Sequence, residues 1–337
     1  MKIIIENHIP YIKGLLEPFA EVAYLPNSEI TPEAVAETDA LVVRTRTRCD
    51  RSLLAGSRCS FVGSATIGTD HIDLDYCRNR GITVANAPGC NAPAVAQYVL
   101  SAVGRLLARD GIADAQGLTM GIVGVGHVGS IVARWAAELG FKVLLNDPPR
   151  QRTEPDFNGV SIEELASKAD IITFHTPFTR TGQDATYHLC GADFVGRLRR
   201  CRLLINSARG PITDTAALLK GLENGRIGDV AIDCWENEPD IDRRLLDRAF
   251  VATPHIAGYS QEGKMRATAM IVEALNSHFG ISAGLPHVSA PALGAAAVTF
   301  GRIMDSYNPL DDTERLKSLP EQFEQQRNCY QLRHEVL

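Results

Sequence analysis

Short, almost uninterrupted apolar runs alternate with helical patterns along most of this 337-residue chain. Such continuous hydrophobicity is typical of strands that are buried on both faces of a parallel sheet. Because parallel strands need crossover connections, the intervening helical segments predict βαβ units and an α/β fold. The predicted strands are Lys2–Glu6, Val22–Leu25, Ala40–Arg44, Phe61–Ser64, Thr83–Asn86, Thr119–Val123, Lys142–Asn146, Ile171–Phe174, Arg202–Asn206, Val230–Asp233 and Phe250–Thr253.

The strands fall into two series, which predict two doubly wound parallel-sheet domains of the Rossmann-like type. We expect a nucleotide-binding domain at residues 94–258, which opens with an amphipathic helix over Pro93–Arg109. It is inserted into a flavodoxin-like, substrate-binding domain made of residues 1–93 and 259–280.

The pattern changes near the C-terminal end. A helix over Ser260–Phe279 is expected to return to the first domain. After Gly280 the chain becomes rich in Ala, Gly and Pro, and then charged and helix-like. Residues 281–337 are therefore predicted to form a third, small α+β module.

The composition excludes some classes of function. The formal net charge of −6 and pI near 5.9 argue against a nucleic-acid-binding surface, so basic clusters are interpreted as sites for a small anion. No apolar run approaches the ~20 residues of a membrane span, and no signal-peptide pattern begins the sequence. The eight cysteines include no Cys-x-x-Cys pair, which is typical of reduced thiols in a cytoplasmic enzyme.

A glycine-rich turn, Gly124-Val-Gly-His-Val-Gly129, joins a predicted strand to a helix over Ser130–Leu139. Glycines at these positions allow a tight turn, close approach of a pyrophosphate, and close packing of the helix on the strand. The helix N-terminus then faces the phosphates. The turn residues predicted to bind the cofactor are Gly124, Gly126, His127, Val128 and Gly129.

Asp147 indicates which dinucleotide binds. It ends the next strand, about twenty residues after the turn, where a carboxylate accepts hydrogen bonds from ribose hydroxyls. The same carboxylate would repel a 2′-phosphate, which favours NAD over NADP, although Arg150 nearby keeps NADP open. Thr176, in Phe174-His-Thr-Pro177 at another strand end, is expected to contact the dinucleotide.

Two further strand ends carry groups suited to oxidation of an alcohol beside a carboxylate. Arg209, in Asn206-Ser-Ala-Arg-Gly210, has the planar fork that binds a carboxylate and polarises an adjacent carbonyl. His255, in Pro254-His-Ile-Ala-Gly258, is a candidate general base, because an imidazole is the side chain that most often transfers protons in enzymes. A carboxylate that orients His255 is offered by Glu238, with Glu236 as the competing residue.

One spacing resembles a metal site. Asp70-His71-Ile-Asp73 contains three potential ligands. They lie too close together in the sequence for a metal site, and they fall at a predicted helix start. Asp70 is expected to be the N-cap of that helix and His71 to pack. No metal site is predicted.

Five short motifs stand beside these groups: Gly63-Ser-Ala-Thr-Ile-Gly-Thr-Asp-His71, Ala87-Pro-Gly-Cys-Asn91, Asp147-Pro-Pro-Arg150, Phe174-His-Thr-Pro177 and His255-Ile-Ala-Gly-Tyr-Ser260. Together they resemble the D-isomer-specific 2-hydroxyacid dehydrogenases, from the first strand to about residue 280. A narrower match is to the branch of vitamin B6 (pyridoxal 5′-phosphate) biosynthesis that acts on a 4-phosphorylated 2-hydroxy acid. Tyr259 and the extra C-terminal module are features of that branch.

The resemblance implies oxidation of 4-phospho-D-erythronate at C2, with NAD+ as the hydride acceptor, by a homodimer that forms through the C-terminal module. It implies that Arg209 and Glu238 are active-site residues, and that His255 donates the proton in the reverse reaction. Residues expected to contact the substrate are Arg44, Thr45, Arg46, Thr66 and Tyr259. Further residues expected to contact NAD are Asp147, Thr176, Ser207, Ala208, Asp233 and Gly258.

The loop Arg44-Thr-Arg-Thr-Arg48 makes chemical sense as the phosphate site, because hydroxyls and guanidiniums give charge-assisted hydrogen bonds to a dianion. Arg48 is expected to be solvated instead. Two alternatives stay open: a sister dehydrogenase acting on phosphoglycerate, glyoxylate or hydroxypyruvate, and a non-catalytic NAD-sensing interaction protein on the same fold.

Overall fold

The computed structural model describes residues 1–286 and 297–335, which form two compact units. The first comprises Met1–Asn91 and the described chain from Ser260 to residue 286, and the second comprises Ala92–Tyr259 and residues 297–335. Each unit contains one parallel sheet with helices on both faces. The predicted α/β fold with two doubly wound sheets is therefore confirmed.

Eleven strands and fourteen α-helices are present in the described residues. The strands are β1 (Lys2–Glu6), β2 (Glu21–Leu25), β3 (Ala40–Val43), β4 (Phe61–Ser64), β5 (Thr83–Ala85), β6 (Thr119–Val123), β7 (Lys142–Asn146), β8 (Ile171–Phe174), β9 (Cys201–Asn206), β10 (Ile227–Ile232) and β11 (Val251–Ala252). The helices are α1 (Pro32–Val35), α2 (Arg51–Leu54), α3 (Leu74–Asn79), α4 (Ala92–Arg109), α5 (His127–Glu138), α6 (Pro148–Thr153), α7 (Ile162–Lys168), α8 (Ala192–Arg197), α9 (Thr215–Glu223), α10 (Arg243–Arg248), α11 (Gln261–Phe279), α12 (Phe300–Ser306), α13 (Pro309–Ser318) and α14 (Phe323–Asn328).

The first sheet has the strand order β2-β1-β3-β4-β5, and every pair is parallel. Successive side chains of a strand point to opposite faces, so Ile3 and Ile5 join one hydrophobic cluster while Ile4 joins another. Helix α11 covers the first cluster with Ile271 and Leu275. Burial of each such side chain contributes about 1.5–3 kcal/mol to the stability of the fold. Because both faces of the sheet are buried, most positions of these strands are apolar, and the strands appear in the sequence as almost unbroken apolar runs.

The second sheet has the order β11-β10-β9-β8-β6-β7 and is also parallel throughout. The chain leaves β6 for β7 at one edge and then returns to pair β8 on the other side of β6. This reversal is the topological switch point, beyond whose carboxyl strand ends open α/β sheets bind ligands. The predicted cofactor turn lies directly after β6 and so falls at this point.

The described C-terminal residues pack on the second unit. Helix α12 lies against α4, where Gly104 makes room: a Cβ there would lie 3.0 Å from Met304 Cγ. Helix α13 lies along β11, the short edge strand, and Thr313 Oγ1 accepts a 2.9 Å hydrogen bond from Ala252 N. Covering an edge strand removes a site for unwanted strand pairing.

That residues 281–337 form a small module that makes the dimer stays a prediction. Part of its Ala-, Gly- and Pro-rich stretch, residues 287–296, lies outside the described residues, as do residues 336 and 337.

The predicted N-cap of the helix after His71 is wrong. Helix α3 begins at Leu74, and the carboxylate that caps it is that of Asp73, which accepts a 2.9 Å hydrogen bond from Tyr76 N. Asp70 lies too early to cap this helix: it stands in a turn that Ile72 N closes on Thr69 O at 2.8 Å, and Ile72 then forms a parallel bridge with Cys49 before the helix begins.

Helix α5 begins three residues earlier than predicted, at His127 instead of Ser130. Its N-cap is Gly126, which has no side chain to accept a hydrogen bond. The sequence therefore carried no capping signal at the true start.

No described helix is both long enough and apolar enough to cross a membrane. All eight cysteines are free thiols, and only Cys329 among them is exposed. Burial raises the pKa of the Cys59 thiol to about 11, so this thiol is protonated at neutral pH and serves to fill space.

We predict that Thr313→Val destabilises the protein by about 1–3 kcal/mol, because Ala252 N would be left buried without a partner. The Thr313 hydroxyl also donates to Pro309 O at 2.8 Å, and that bond is lost as well. Thr313→Ser keeps the hydroxyl and is the matched control. Urea denaturation measures both; equal stability of the two variants would contradict the packing described here.

Candidate active site

The three glycines of the cofactor turn have different surroundings. A Cβ at Gly124, whose φ is +85°, would lie 2.8 Å from the backbone of Thr176, and one at Gly129 would lie 2.1 Å from Gly124 O. A Cβ at Gly126 would meet no atom within 4 Å. Two glycines are therefore required by packing, whereas the third leaves open space at the N-terminus of α5, where a pyrophosphate would approach.

Asp147 fixes this turn from the end of β7. Its two carboxylate oxygens accept hydrogen bonds from Val125 N at 2.8 Å and from Arg150 N at 3.1 Å. The guanidinium of Arg150 is engaged by Glu154, with Nε 2.8 Å from Oε1. This pairing opposes the use of Arg150 for a 2′-phosphate and so supports the preference for NAD over NADP.

Two buried hydroxyls mark the remaining cofactor surface. Thr176 Oγ1 and Ser207 Oγ are buried and have no hydrogen-bond partner among the described residues. They follow β8 and β9, adjacent strands whose carboxyl ends lie on the ligand side of the sheet. A buried hydroxyl without a partner costs about 1–3 kcal/mol, which a bound ligand can recover. These residues and the open space at Gly126 therefore fit a dinucleotide.

The other predicted cofactor residues lie along the same edge. His127 and Val128 form the first turn of α5, Ala208 is buried after β9, and Gly258 is half-buried in the loop after β11. Their contacts with NAD stay predictions. His175, beside Thr176, is neutral because desolvation lowers its pKa to about 3.

His255 is paired with Glu238. Its Nδ1 lies 2.8 Å from Glu238 Oε2 and 3.2 Å from Oε1, while Trp235 N donates to Oε1 at 2.8 Å. Burial raises the pKa of Glu238, but the charge and hydrogen bond of His255, together with the Trp235 amide and the Arg327 charge, outweigh it, so the pKa stays below its ordinary value. Glu238 is therefore ionised at neutral pH, and the Nε2 atom of His255 is the one left for proton transfer.

Glu236, the competing carboxylate, belongs to another pair. Its Oε1 lies 2.6 Å from His188 Nε2, and its Oε2 accepts a 2.8 Å hydrogen bond from Thr215 N at the start of α9. Sequence reasoning did not single out His188, which lies 48 residues from its partner. The geometry thus separates two carboxylates that the residues alone left as alternatives.

The loop that carries His255 is held by a buried carboxylate. Asp233 accepts hydrogen bonds from Thr253 Oγ1 at 2.7 Å, Ile256 N at 2.7 Å and Ala257 N at 3.0 Å. His255 itself has a φ of +58°, a conformation that a non-glycine residue rarely adopts. Burial raises the pKa of Asp233, yet its partners favour the charged form. Its carboxylate orders this loop, and its predicted contact with NAD stays a prediction.

Arg209 lies in the segment that follows β9, and its Nη1 donates to Ala208 O at 2.8 Å. Gly210 beside it is required, because a Cβ there would lie 1.8 Å from Trp235 O. Asn206 links the two segments, since its Nδ2 donates to Arg209 O at 3.0 Å and to Cys234 O at 3.2 Å. This packing brings the segment that carries Arg209 against the one that leads to Glu238.

Cys234, Glu238 and His255 have potential metal-ligand atoms within 4.8 Å of one another. Burial raises the pKa of the Cys234 thiol well above its ordinary value, and the nearby Asp233 charge adds to this effect. His255 Nδ1 is already engaged by Glu238. The donor chemistry therefore does not favour a metal ion here.

The predicted phosphate loop lies in the first unit. Arg44 donates Nε and Nη2 to buried Glu6, the second bond at 2.8 Å, an interaction that sequence reasoning missed. Burial raises the pKa of Glu6, but Arg44 and then His8 lower it more, so the carboxylate is ionised. Thr45 and Arg46, which follow at the strand end, are exposed.

Two further residues of the predicted set have defined neighbours. Thr66 Oγ1 lies 2.7 Å from Ser64 Oγ, which in turn lies 3.2 Å from His71 Nε2. Tyr259 packs its ring against Tyr330 in the second unit, with centroids 6.1 Å apart. Their contacts with substrate stay predictions.

Comparison with known proteins agrees with this site. The model of the D-isomer specific 2-hydroxyacid dehydrogenase NAD binding domain matches residues 104–257. The chain is 47% identical to an erythronate-4-phosphate dehydrogenase of Bacteroides fragilis over 340 residues, covering 99% of this chain and 97% of the relative. It belongs to the D-isomer specific 2-hydroxyacid dehydrogenase family. The predicted membership is thereby confirmed.

Two other similarities point to the same family. An erythronate-4-phosphate dehydrogenase of Bacteroides thetaiotaomicron is 46% identical over 342 residues, covering 99% of this chain and 97% of the relative. The crystal structure of the TT0316 protein from Thermus thermophilus superposes with a TM-score of 0.68 at 27% identity, covering 86% of this chain and all of that one. The chain is accordingly an NAD-dependent oxidoreductase, as predicted, and NAD is its cofactor.

We predict that Gly126→Ala raises the Kd for NADH about tenfold, or ~1.4 kcal/mol, because the new Cβ takes space needed by the pyrophosphate. The free energy of unfolding should change by less than about 0.5 kcal/mol, since a Cβ there meets no atom. Gly129→Ala is the contrast and should destabilise the fold. Fluorescence titration and urea denaturation measure these effects; wild-type NADH affinity in Gly126→Ala would contradict the placement.

Proposed function

We propose that this dehydrogenase oxidises 4-phospho-D-erythronate at C2 to (R)-3-hydroxy-2-oxo-4-phosphooxybutanoate, with NAD+ as oxidant. The observation that carries the reaction type is the His255–Glu238 pair, held beside the segment that bears Arg209. The names of the relatives support the choice of substrate. The reaction would serve pyridoxal 5′-phosphate biosynthesis.

Each residue has one task in this proposal. His255 Nε2 takes the proton of the C2 hydroxyl, because Nδ1 is occupied by Glu238. Glu238, ionised at neutral pH, stabilises the imidazolium that forms. Arg209 binds the substrate carboxylate and the carbonyl oxygen that develops at C2. NAD+, when bound, accepts the hydride from C2.

The distal phosphate is assigned to the loop after β3. Arg46 and Thr45 are exposed at that strand end, where a ligand can reach them. Arg44 keeps the loop in place through Glu6. Arg48, for which we expected solvation, has a side chain that is 83% exposed, and its Nε lies 2.7 Å from Asp50 Oδ2. We further propose a cytoplasmic homodimer with no nucleic-acid or membrane partner, in which residues 281–337 supply dimer contacts.

We predict that Arg46→Gln lowers kcat/KM for 4-phospho-D-erythronate about 10- to 100-fold, since a charge-assisted hydrogen bond contributes about 1.5–3 kcal/mol. Activity with unphosphorylated erythronate should change less than about twofold. Arg48→Gln is the matched control and should leave both substrates near wild type. NADH absorbance over a panel of 2-hydroxy acids measures this; a wild-type enzyme that does not prefer the phosphorylated acid is instead a sister dehydrogenase.

We predict that His255→Asn lowers the single-turnover rate of hydride transfer about 10²- to 10⁴-fold, because the general base is lost. Asn tolerates positive φ, so the loop should keep its conformation. NADH binding should be unchanged.

His188→Asn is the matched control for this test. His188 also pairs with a glutamate and has a φ of +50°, and its side chain is 29% exposed, the same as that of His255. We expect a change of less than about tenfold. Equal losses in the two variants would refute the role of His255.

A further inference from the structure

The C-terminal segment, residues 323–335, reaches the pair that carries the proposed chemistry. Phe323, only 1% exposed, anchors α14 in the hydrophobic core of the second unit. One turn later, Arg327 Nη1 lies 3.9 Å from Glu238 Oε2, the oxygen nearest to His255 Nδ1. A residue far along the chain thus reaches the carboxylate that pairs with His255.

The charge of Arg327 persists in this environment. Its side chain is 16% exposed, and burial lowers its pKa, but the side chains of Tyr259 and Glu238 outweigh this and raise it. The groups that face Glu238 are therefore His255, the amide of Trp235 and the Arg327 cation. The cation adds a second charged partner that favours one orientation of the carboxylate.

Arg333 holds the loop that follows His255. Its Nη1 donates to Ile256 O at 3.0 Å and Tyr259 O at 3.2 Å, and its Nη2 donates to Ala257 O. Asp233 binds amides of the same loop. The loop is thus fixed by a carboxylate on its N–H groups and by a guanidinium on its carbonyls.

Arg333 is itself held in place. Its guanidinium lies 4.3 Å from the ring centroid of buried Tyr307, and Nη2 also donates to Ala94 O at 3.1 Å. These contacts hold the C-terminal segment against α4 and against Tyr307, the residue that follows α12. The position of the loop therefore depends on the packing of this segment.

We propose that Arg327 is a positioning residue that acts through Glu238, and that the C-terminal segment, secured by Arg333, is part of the catalytic machinery. The inference rests on the proposed function, because it assigns Arg327 to the pair that moves the proton. It goes beyond that function by making helix α14 necessary for turnover.

The test compares Arg327→Gln with Arg327→Lys in the full-length protein. Loss of the cation should lower kcat about 10- to 100-fold, with the Kd for NADH unchanged. Arg327→Lys keeps the positive charge but lacks the planar guanidinium, so it should recover part of the lost kcat. Arg315→Gln is the control from the neighbouring helix α13, since Arg315 is 61% exposed and its partner, Asp312 at 3.4 Å, is not part of the proposed site. It should keep wild-type kcat.

A double-mutant cycle separates positioning from a general loss of structure. In a Glu238→Gln background, Arg327→Gln should lower kcat by less than about twofold, because the residue through which it acts is already changed. Full additivity of the two losses, or wild-type kcat in Arg327→Gln, would overturn the proposal.

A second variant covers the case in which Arg327→Gln does not fold. Arg333→Lys should then lower kcat at least about tenfold while thermal unfolding shows a single cooperative transition; wild-type kcat would overturn the proposal. Failure of the substrate assignment is distinguishable, since it appears as poor turnover of 4-phospho-D-erythronate by the wild-type protein. The cycle is then run with the 2-hydroxy acid that the wild type does oxidise.

Discussion

The carboxylate of Asp233 is buried at the end of β10, and the conformation of the proposed proton-transfer residue depends on it. It accepts three hydrogen bonds from residues that flank His255, and these offset part of the cost of removing the charge from water, although burial still raises the pKa of Asp233. With the loop fixed, His255 is held at a positive φ and its Nδ1 meets Glu238. Strained backbone of this kind persists only where surrounding contacts determine it fully. Here the contacts come from the sheet end on one side and from Arg333 on the other.

The glycines of the second unit are of two kinds, according to what surrounds the position of a Cβ. At Gly129 and Gly210 a side chain would collide with backbone, so these residues serve close packing. At Gly126 a side chain would meet nothing, so the absence of a Cβ there serves a ligand. Packing determines where the sheet and the helices lie, and the space that they leave unfilled determines which ligand can bind. The hydroxyls of Thr176 and Ser207 follow this division, because they are buried but unpartnered within the described residues.

Much of the fold could be predicted because strands buried on both faces leave an unbroken apolar signal, as in β6, β7 and β8, whose bounds match the predictions. Local features failed where no side-chain signal exists: the N-cap of α5 is Gly126, which has no side chain, and the bridge that Ile72 forms just before α3 depends on distant Cys49. For the site, residue chemistry indicated Arg209 and His255. It could not choose between Glu236 and Glu238, since that choice depends on His188, far away in sequence. Arg44–Glu6 and the contacts of Arg327 and Arg333 were missed for the same reason.

We propose that this chain transfers a hydride from C2 of a phosphorylated 2-hydroxy acid to NAD+. This proposal is tested most directly with 4-phospho-D-erythronate deuterated at C2, incubated with the enzyme and NAD+ and analysed by mass spectrometry and NMR. We expect the deuterium to appear at C4 of the reduced nicotinamide, in step with formation of the 2-oxo acid. Formation of the 2-oxo acid without deuterium in the nicotinamide, or no turnover while other 2-hydroxy acids react, would contradict it.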